Sequence, residues 1–287
     1  MTGDGAAAAR ADAQARTAEG WRRLTAFFRE GGRHLPEAIA AFEAAERMQR
    51  RAGVGDDLEA TLLGLSLALR LRRTADDGRR AVVLAQELVN IGRRRHEEGA
   101  ALAYRSSLEA AYRDLAGVET GDAALRAADQ GIEACDRTLR LARTLRVPRV
   151  VPASQATKAA LLLRRASLRP PGEEGRARRD AERLYEAALA AWPAEDLEGW
   201  AVVRLEMAEM WAASPSARGR AERLLEEAAR ALGRTENRYL QARAAAVRAR
   251  LALAADRADA LEAVEAAAAA YRALGLEREA REVEALV

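Results

Sequence analysis

The sequence predicts an all-α protein, an α-solenoid of about six antiparallel helix pairs with a C-terminal capping helix. Three observations carry this expectation. First, hydrophobic residues make up 49% of the 287 positions while aromatics reach only 4% and charged residues 32%. The chain is thus rich in alanine, leucine, arginine and glutamate, all strong helix formers with little preference for strands. Second, glycine and proline divide it into segments with helical spacing of apolar residues, and no segment shows the strict alternation of a half-buried strand. Third, one small-large-small triplet recurs at a nearly constant interval.

Taken in order, Met1 to Ala18 holds no apolar run, so residues 1–17 are expected to be a flexible leader and not a signal peptide. Residues 18–274 carry the array. In the first pair, Trp21, Leu24 and Phe28 share one helical face and point toward a helix bearing Ala38-Phe42-Ala45. The same offsets return as Ala81-Ala85-Leu88, Ala124-Ala128-Gly131, Ala181-Tyr185-Ala188, Ala221-Leu225-Ala228 and Ala260-Val264-Ala267. With triplets starting at 38, 81, 124, 181, 221 and 260, four of the five intervals fall between 39 and 43 residues. Positions i, i+4 and i+7 lie on one face, so each triplet is a packing seam, and the near-constant period marks repeats.

Met207 and Trp211 precede the fifth triplet as Trp21 and Phe28 precede the first. The one long interval contains Pro148–Pro152 and Pro170–Gly175, which makes residues 148–175 a candidate insertion. In residues 275–287, Leu276, Ala280, Val283 and Val287 form one stripe, as expected of a helix covering the end of the stack. Two short helices cannot bury their shared face alone, and stacked neighbours complete a continuous core. Asp56-Asp57, Asp76-Asp77 and Glu173-Glu174 fall at or near expected helix starts, where carboxylates offset the helix dipole.

Little in the sequence points to catalysis. Net charge is +3, from 47 basic and 44 acidic residues; so balanced a surface disfavours nucleic acid as a partner. The longest apolar stretch, near Leu62 to Leu71, is broken by Gly64, Ser66 and Arg70 and is too short to span a bilayer. Cys135 is the only cysteine, which excludes an internal disulfide and suggests a reducing cytoplasm. His34 and His96 are the only histidines. The spacings of a metal site, a P-loop or a dinucleotide fingerprint are absent. The expectation is a non-catalytic protein without metal or cofactor.

The pattern Trp21-x-x-Leu24-x-x-x-Phe28 followed by Ala38-x-x-x-Phe42-x-x-Ala45 resembles the tetratricopeptide (TPR) repeat, at a period longer than that family's usual length of about 34 residues. Leu65 to Val89 is similar to repeats of bacterial arrays that accompany caspase-like CHAT domains. The resemblance implies a right-handed stack in which the first helix of each pair lines a concave groove. It places Arg22, Ala26 and Arg29 of the first pair on that surface, then Leu63, Leu67 and Arg70, then Ser106 and Arg113, and from later pairs Leu205, Glu209 and Leu240. It implies an adaptor or regulatory scaffold for a protein or peptide ligand of acidic or amphipathic character. The alternative is a sensor or regulatory subunit that controls a separately encoded effector, either a protease such as a CHAT-type enzyme or a nucleotide-dependent switch. The carboxylate clamp of chaperone-binding members needs asparagines and lysines; this chain has only Asn90, Asn237 and Lys158.

Overall fold

In a computed structural model the chain is described over residues 3–53, 58–170, 172–212 and 214–287. Among these residues there are thirteen α-helices and no strand. Twelve of the helices form six successive pairs: α1 (Gly3–Glu30) with α2 (His34–Ala52), α3 (Leu58–Arg72) with α4 (Ala75–Arg94), and α5 (Glu98–Val118) with α6 (Gly121–Leu145). Then come α7 (Val151–Ser167) with α8 (Glu174–Ala191), α9 (Leu197–Ala212) with α10 (Arg218–Leu232), and α11 (Arg238–Ala254) with α12 (Ala260–Ala273). The last helix, α13 (Glu277–Glu284), packs on α12.

The six triplets occupy α2, α4, α6, α8, α10 and α12, and every one of their residues is buried. Helix starts follow local chemistry. Thr74 caps α4: its Oγ1 accepts from the Asp77 N–H at 3.2 Å and donates to Asp77 Oδ2 at 2.6 Å, a reciprocal cap that satisfies otherwise orphaned donors. Glu174 opens α8, while Asp56-Asp57 lie outside the described residues.

Several expectations need correction. Residues 3–17, expected to be a flexible leader, form the first half of α1, where Ala13 and Thr17 are buried. Residues 148–175 are not a free insertion: α7 packs against α5 and α6 as a regular repeat helix, and the long interval comes from the 25-residue α6 and the connections around α7. At the C-terminus Leu276, which caps α13, and Ala280 and Val283 on it are buried, whereas Val287, beyond its end, is exposed.

The chain divides into two compact units, residues 1–24 with 35–188, and residues 25–34 with 189–287. In the first, Phe42 of α2 is fully buried and meets Trp21 of α1 edge-on, with centroids 5.6 Å apart. Gly20 of α1 and Gly64 of α3 both lie against the Phe42 ring; a Cβ at either would stand 2.6 Å or 2.3 Å from it. Gly92 serves similarly between α4 and α5, since a Cβ there would sit 2.9 Å from the Ala101 backbone. The missing side chains thus set how closely neighbouring helices approach.

In the second unit, Leu205, Leu225, Leu232, Val247 and Leu251 form the core, with Trp200, Trp211 and Tyr239 packed against it. The segment 25–34 joins this unit. Phe27 is fully buried, and Phe27 and Phe28 both contact Tyr239. Phe28 therefore packs on Tyr239 of α11. Gly31 and Gly32 have positive φ, a Cβ on Gly31 would stand 2.3 Å from the Leu274 Cα, and the Gly32 N–H donates to the Leu274 carbonyl at 3.0 Å.

Arginines link one repeat to the next. Arg80 reaches Glu43 at 2.5 Å and Arg50 reaches Glu87 at 2.7 Å, both between second helices, and Arg79 of α4 reaches Glu119 at the C-cap of α5. Arg70 to Asp114 at 2.6 Å, and Arg250 to Glu209 at 2.5 Å, do the same between first helices. These partners are 37 to 44 residues apart, about one repeat. Partly exposed pairs contribute at most about 1 kcal/mol each, so their main effect is to favour one register of stacking.

One carboxyl is buried without such a partner. Glu109 of α5 is fully buried, and its burial pushes its pKa up to about 7, only partly offset by Thr138, Ser154 and Cys135 nearby. Because the folded value lies above the ordinary carboxylate range, the folded state holds this proton more tightly. Stability is therefore fully present at low pH and falls as pH rises from about 4.5 to 7, by on the order of 3 kcal/mol. Glu109→Gln should remove this slope, so that the variant becomes the more stable protein at pH 8 in urea titrations.

Glycine to alanine normally stabilises a helix by up to about 1 kcal/mol. At Gly64 overpacking against Phe42 should outweigh that gain, and Gly64→Ala should destabilise by about 1–3 kcal/mol. Gly99→Ala, with nothing within 4 Å of the added carbon, should be neutral or slightly stabilising in the same urea assay.

Candidate functional site

In the repeats the second helices spend their seams on burial. In the first unit α3 contacts α5, and α5 contacts α7. The Thr17 and Thr61 hydroxyls, 2.6 Å apart, tie α1 to α3. Thr17 donates its proton to the Ala13 carbonyl at 3.1 Å, so Thr61 is the donor to Thr17.

These contacts leave a cavity of about 550 Å³ lined by Gln14, Thr17, Ala18 and Trp21 of α1, Gln49 of α2, Glu59, Ala60 and Leu63 of α3, and Tyr104 of α5. The volume is that of a ligand pocket, and apolar walls with a few convergent polar groups are the usual makeup of one. The walls are held in place. Trp21 rests on Phe42. The Tyr104 hydroxyl donates to Glu59, which also receives Arg95. Burial first, and then Glu59, pushes the Tyr104 pKa up to about 12, so at neutral pH it stays a neutral donor. Arg95 offsets the charge of Glu59, and the cavity presents a mainly aromatic and amide surface.

The residues expected on a concave surface divide among several environments. Leu63 lines this cavity. Leu67 and Ser106 are half-buried on α3 and α5, and the Ser106 hydroxyl has no hydrogen-bond partner. Arg22 is exposed and bonded to Glu19 within its own helix. Arg70 and Arg113 converge on Asp114, at 2.6 Å and 3.0 Å. Ala26 and Arg29 belong to the other unit, where Arg29 pairs with Glu236 at 2.8 Å. In that unit Leu205 and Leu240 are buried in the core, so the expectation of an open position fails for both: they are needed to complete the packing around Leu225. Glu209 is partly exposed and committed to Arg250 at 2.5 Å and Arg243 at 3.7 Å.

Sequence reasoning missed Gln14, Gln49, Glu59 and Tyr104, and placed Trp21 only in the core. The available signal was the spacing: Thr17 with Thr61 and Glu59 with Tyr104 are 44 and 45 residues apart, about one repeat. Of the chemically reactive residues, His34 begins α2 with Nε2 3.2 Å from Glu30, His96 is exposed beyond the end of α4, and Cys135 is buried in α6. Burial, then Glu109 and Asp136, push the Cys135 thiol pKa up, which keeps it from acting as a thiolate. No cluster of three potential metal ligands occurs among the described residues, and no described helix is long and apolar enough to cross a membrane.

Neither a protein-family profile nor a curated protein matches the chain. Twenty-one solved chains resemble it in structure. One is the crystal structure of a Rap protein complexed with competence and sporulation factor; the match has a TM-score of 0.58 at 12% identity and covers 92% of this chain and 71% of the Rap chain. At that identity the likeness shows the fold, a TPR-like helical repeat.

Asp114 offers a test of the ion pairs that frame the inner helices. Burial by itself would raise its pKa, but Arg113 and Arg70 outweigh it and hold the carboxyl at about 2. A folded value below the ordinary range makes the stabilisation complete above about pH 4 and lost as pH falls toward 2. Asp114→Asn should therefore cost about 1–3 kcal/mol at pH 7, and the gap from wild type should close near pH 2 in chemical denaturation.

Proposed function

We propose that the protein is a non-catalytic adaptor or regulatory scaffold that binds a segment of a partner protein across the first helices α1, α3 and α5. The observation that carries this reading is the cavity between Trp21, Leu63 and Tyr104, whose walls are fixed before any ligand arrives. Pre-set aromatic walls lower the ordering cost of binding and supply the kind of anchor on which interface energy concentrates. The neighbouring Rap fold, seen in complex with a factor, supports a binding role for such an array.

The chemistry narrows the ligand to an amphipathic segment with an apolar anchor. Arg70 and Arg113 are already engaged by Asp114, so an acidic ligand would have to displace that carboxylate to use them. A partner bound in this way would allow the array to control a separately encoded effector, of which a CHAT-type protease is one candidate class.

A photo-crosslinking amino acid at Leu63, with another at the exposed Leu141 as control, tests the assignment in the native cell. A single partner should be captured from position 63 and not from 141, and Tyr104→Ala should reduce its yield at least several-fold. Identical adducts from both positions would place binding elsewhere.

A further inference from the structure

A second cavity, in the unit formed by residues 25–34 and 189–287, has a different chemistry. Its volume is about 490 Å³, and its lining includes Trp192, Leu197, Trp200, Arg230, Ala231 and Arg234. Both indoles are partly exposed, and both are fixed. Trp192 Nε1 donates to Asp196 Oδ2 at 3.1 Å, while Asp196 Oδ1 accepts the Gly199 N–H at 2.9 Å and so caps α9. Gly199 lies directly against the Trp192 ring: a Cβ there would stand 2.4 Å from the indole. Trp200 is covered by the Arg204 guanidinium, 3.3 Å from its ring centroid, and Arg204 in turn holds Glu227 at 2.7 Å.

Glu227 is the cavity's only carboxylate, and Arg204 neutralises it. Arg230 and Arg234 have no carboxylate within ion-pair distance among the described residues; Arg230 makes only a long contact with the Glu226 carbonyl, at 3.4 Å. Their place at the C-terminal end of α10 offsets the helix dipole by about 0.3–1 kcal/mol each. That accounts for basic residues there, but not for two immobilised indoles lining the same cavity.

We infer that this cavity binds a small anionic aromatic compound, its planar ring against Trp192 and Trp200 and its phosphate or carboxylate on Arg230 and Arg234. Guanidinium groups bind both anions by charge-assisted hydrogen bonds, and indole faces accept planar rings by offset stacking. The shared requirement is a ring and an anion in one molecule, and the cavity has the volume for a ligand of that size. This site is independent of the cavity on α1, α3 and α5.

Calorimetric titration of the full chain, with tryptophan fluorescence as a second readout, tests the inference with four probes. Adenosine monophosphate and indole-3-acetate carry ring and anion together, adenosine the ring alone, and inorganic phosphate the anion alone. At least one of the first two should bind with a Kd of about 1 mM or tighter, about tenfold better than adenosine or phosphate; which of them binds identifies the pairing of ring and anion. The Arg230→Ala/Arg234→Ala variant, altered only at exposed positions, should lose about tenfold or more in affinity. Gly199→Ala, checked for intact helicity, should weaken binding by displacing Trp192. No binding of either combined probe at several millimolar overturns the inference, as does binding unchanged in the double arginine variant or matched by phosphate alone. Photo-crosslinking at Leu63 reads the other site, so failure here is distinguishable from failure there.

Discussion

Close approach of helices depends on what is missing at a few positions. Phe42 is the largest side chain of the first seam, and it fits because Gly20 and Gly64, on the helices before and after it, carry no Cβ. That arrangement brings α1 and α3 close enough for Thr17 to bond Thr61, and it seats Trp21 on the ring edge. The cavity with Leu63 and Tyr104 is built on the other faces of these same helices. A packing requirement two residues wide thus fixes the walls of the candidate site.

The composition has a physical consequence beyond helix propensity. Alanine-rich seams bury little area per residue, so hydrophobic burial alone discriminates weakly between one stacking register and a slipped one. Arginine bonds at one-repeat spacing supply that discrimination, since slipping a helix by a turn separates guanidinium from carboxylate. The same economy shows where arginine is not spent in this way. Arg230 and Arg234 remain available near Trp192 and Trp200, and Glu109 stays buried as a carboxyl that titrates near 7.

Much of the fold was legible before any coordinates. Alanine, glycine and leucine at offsets of four and three, repeated at 39 to 43 residues, are what a buried helical face requires, and all six triplets are buried. The leader was misjudged because small polar residues say little about helix formation without a neighbour, whereas Ala13 and Thr17 are held by tertiary contacts. Periodicity gives the face of Phe28 but not its contact with Tyr239 of α11, since it does not name the element a face meets.

The candidate site was less legible, for the same reason. The resemblance to TPR arrays pointed to the first helices as the groove-lining ones, and Leu63 among their residues lines the cavity. Leu205 and Leu240 share that periodicity but are consumed by core packing, and Arg70 and Arg113 by Asp114. By itself, the sequence determined the helical class, the number of pairs and the buried seams, because these follow from local periodicity and side-chain size. Only the tertiary structure decided which exposed faces enclose space and which arginines remain without a carboxylate, because both depend on side chains one repeat or more apart in the chain.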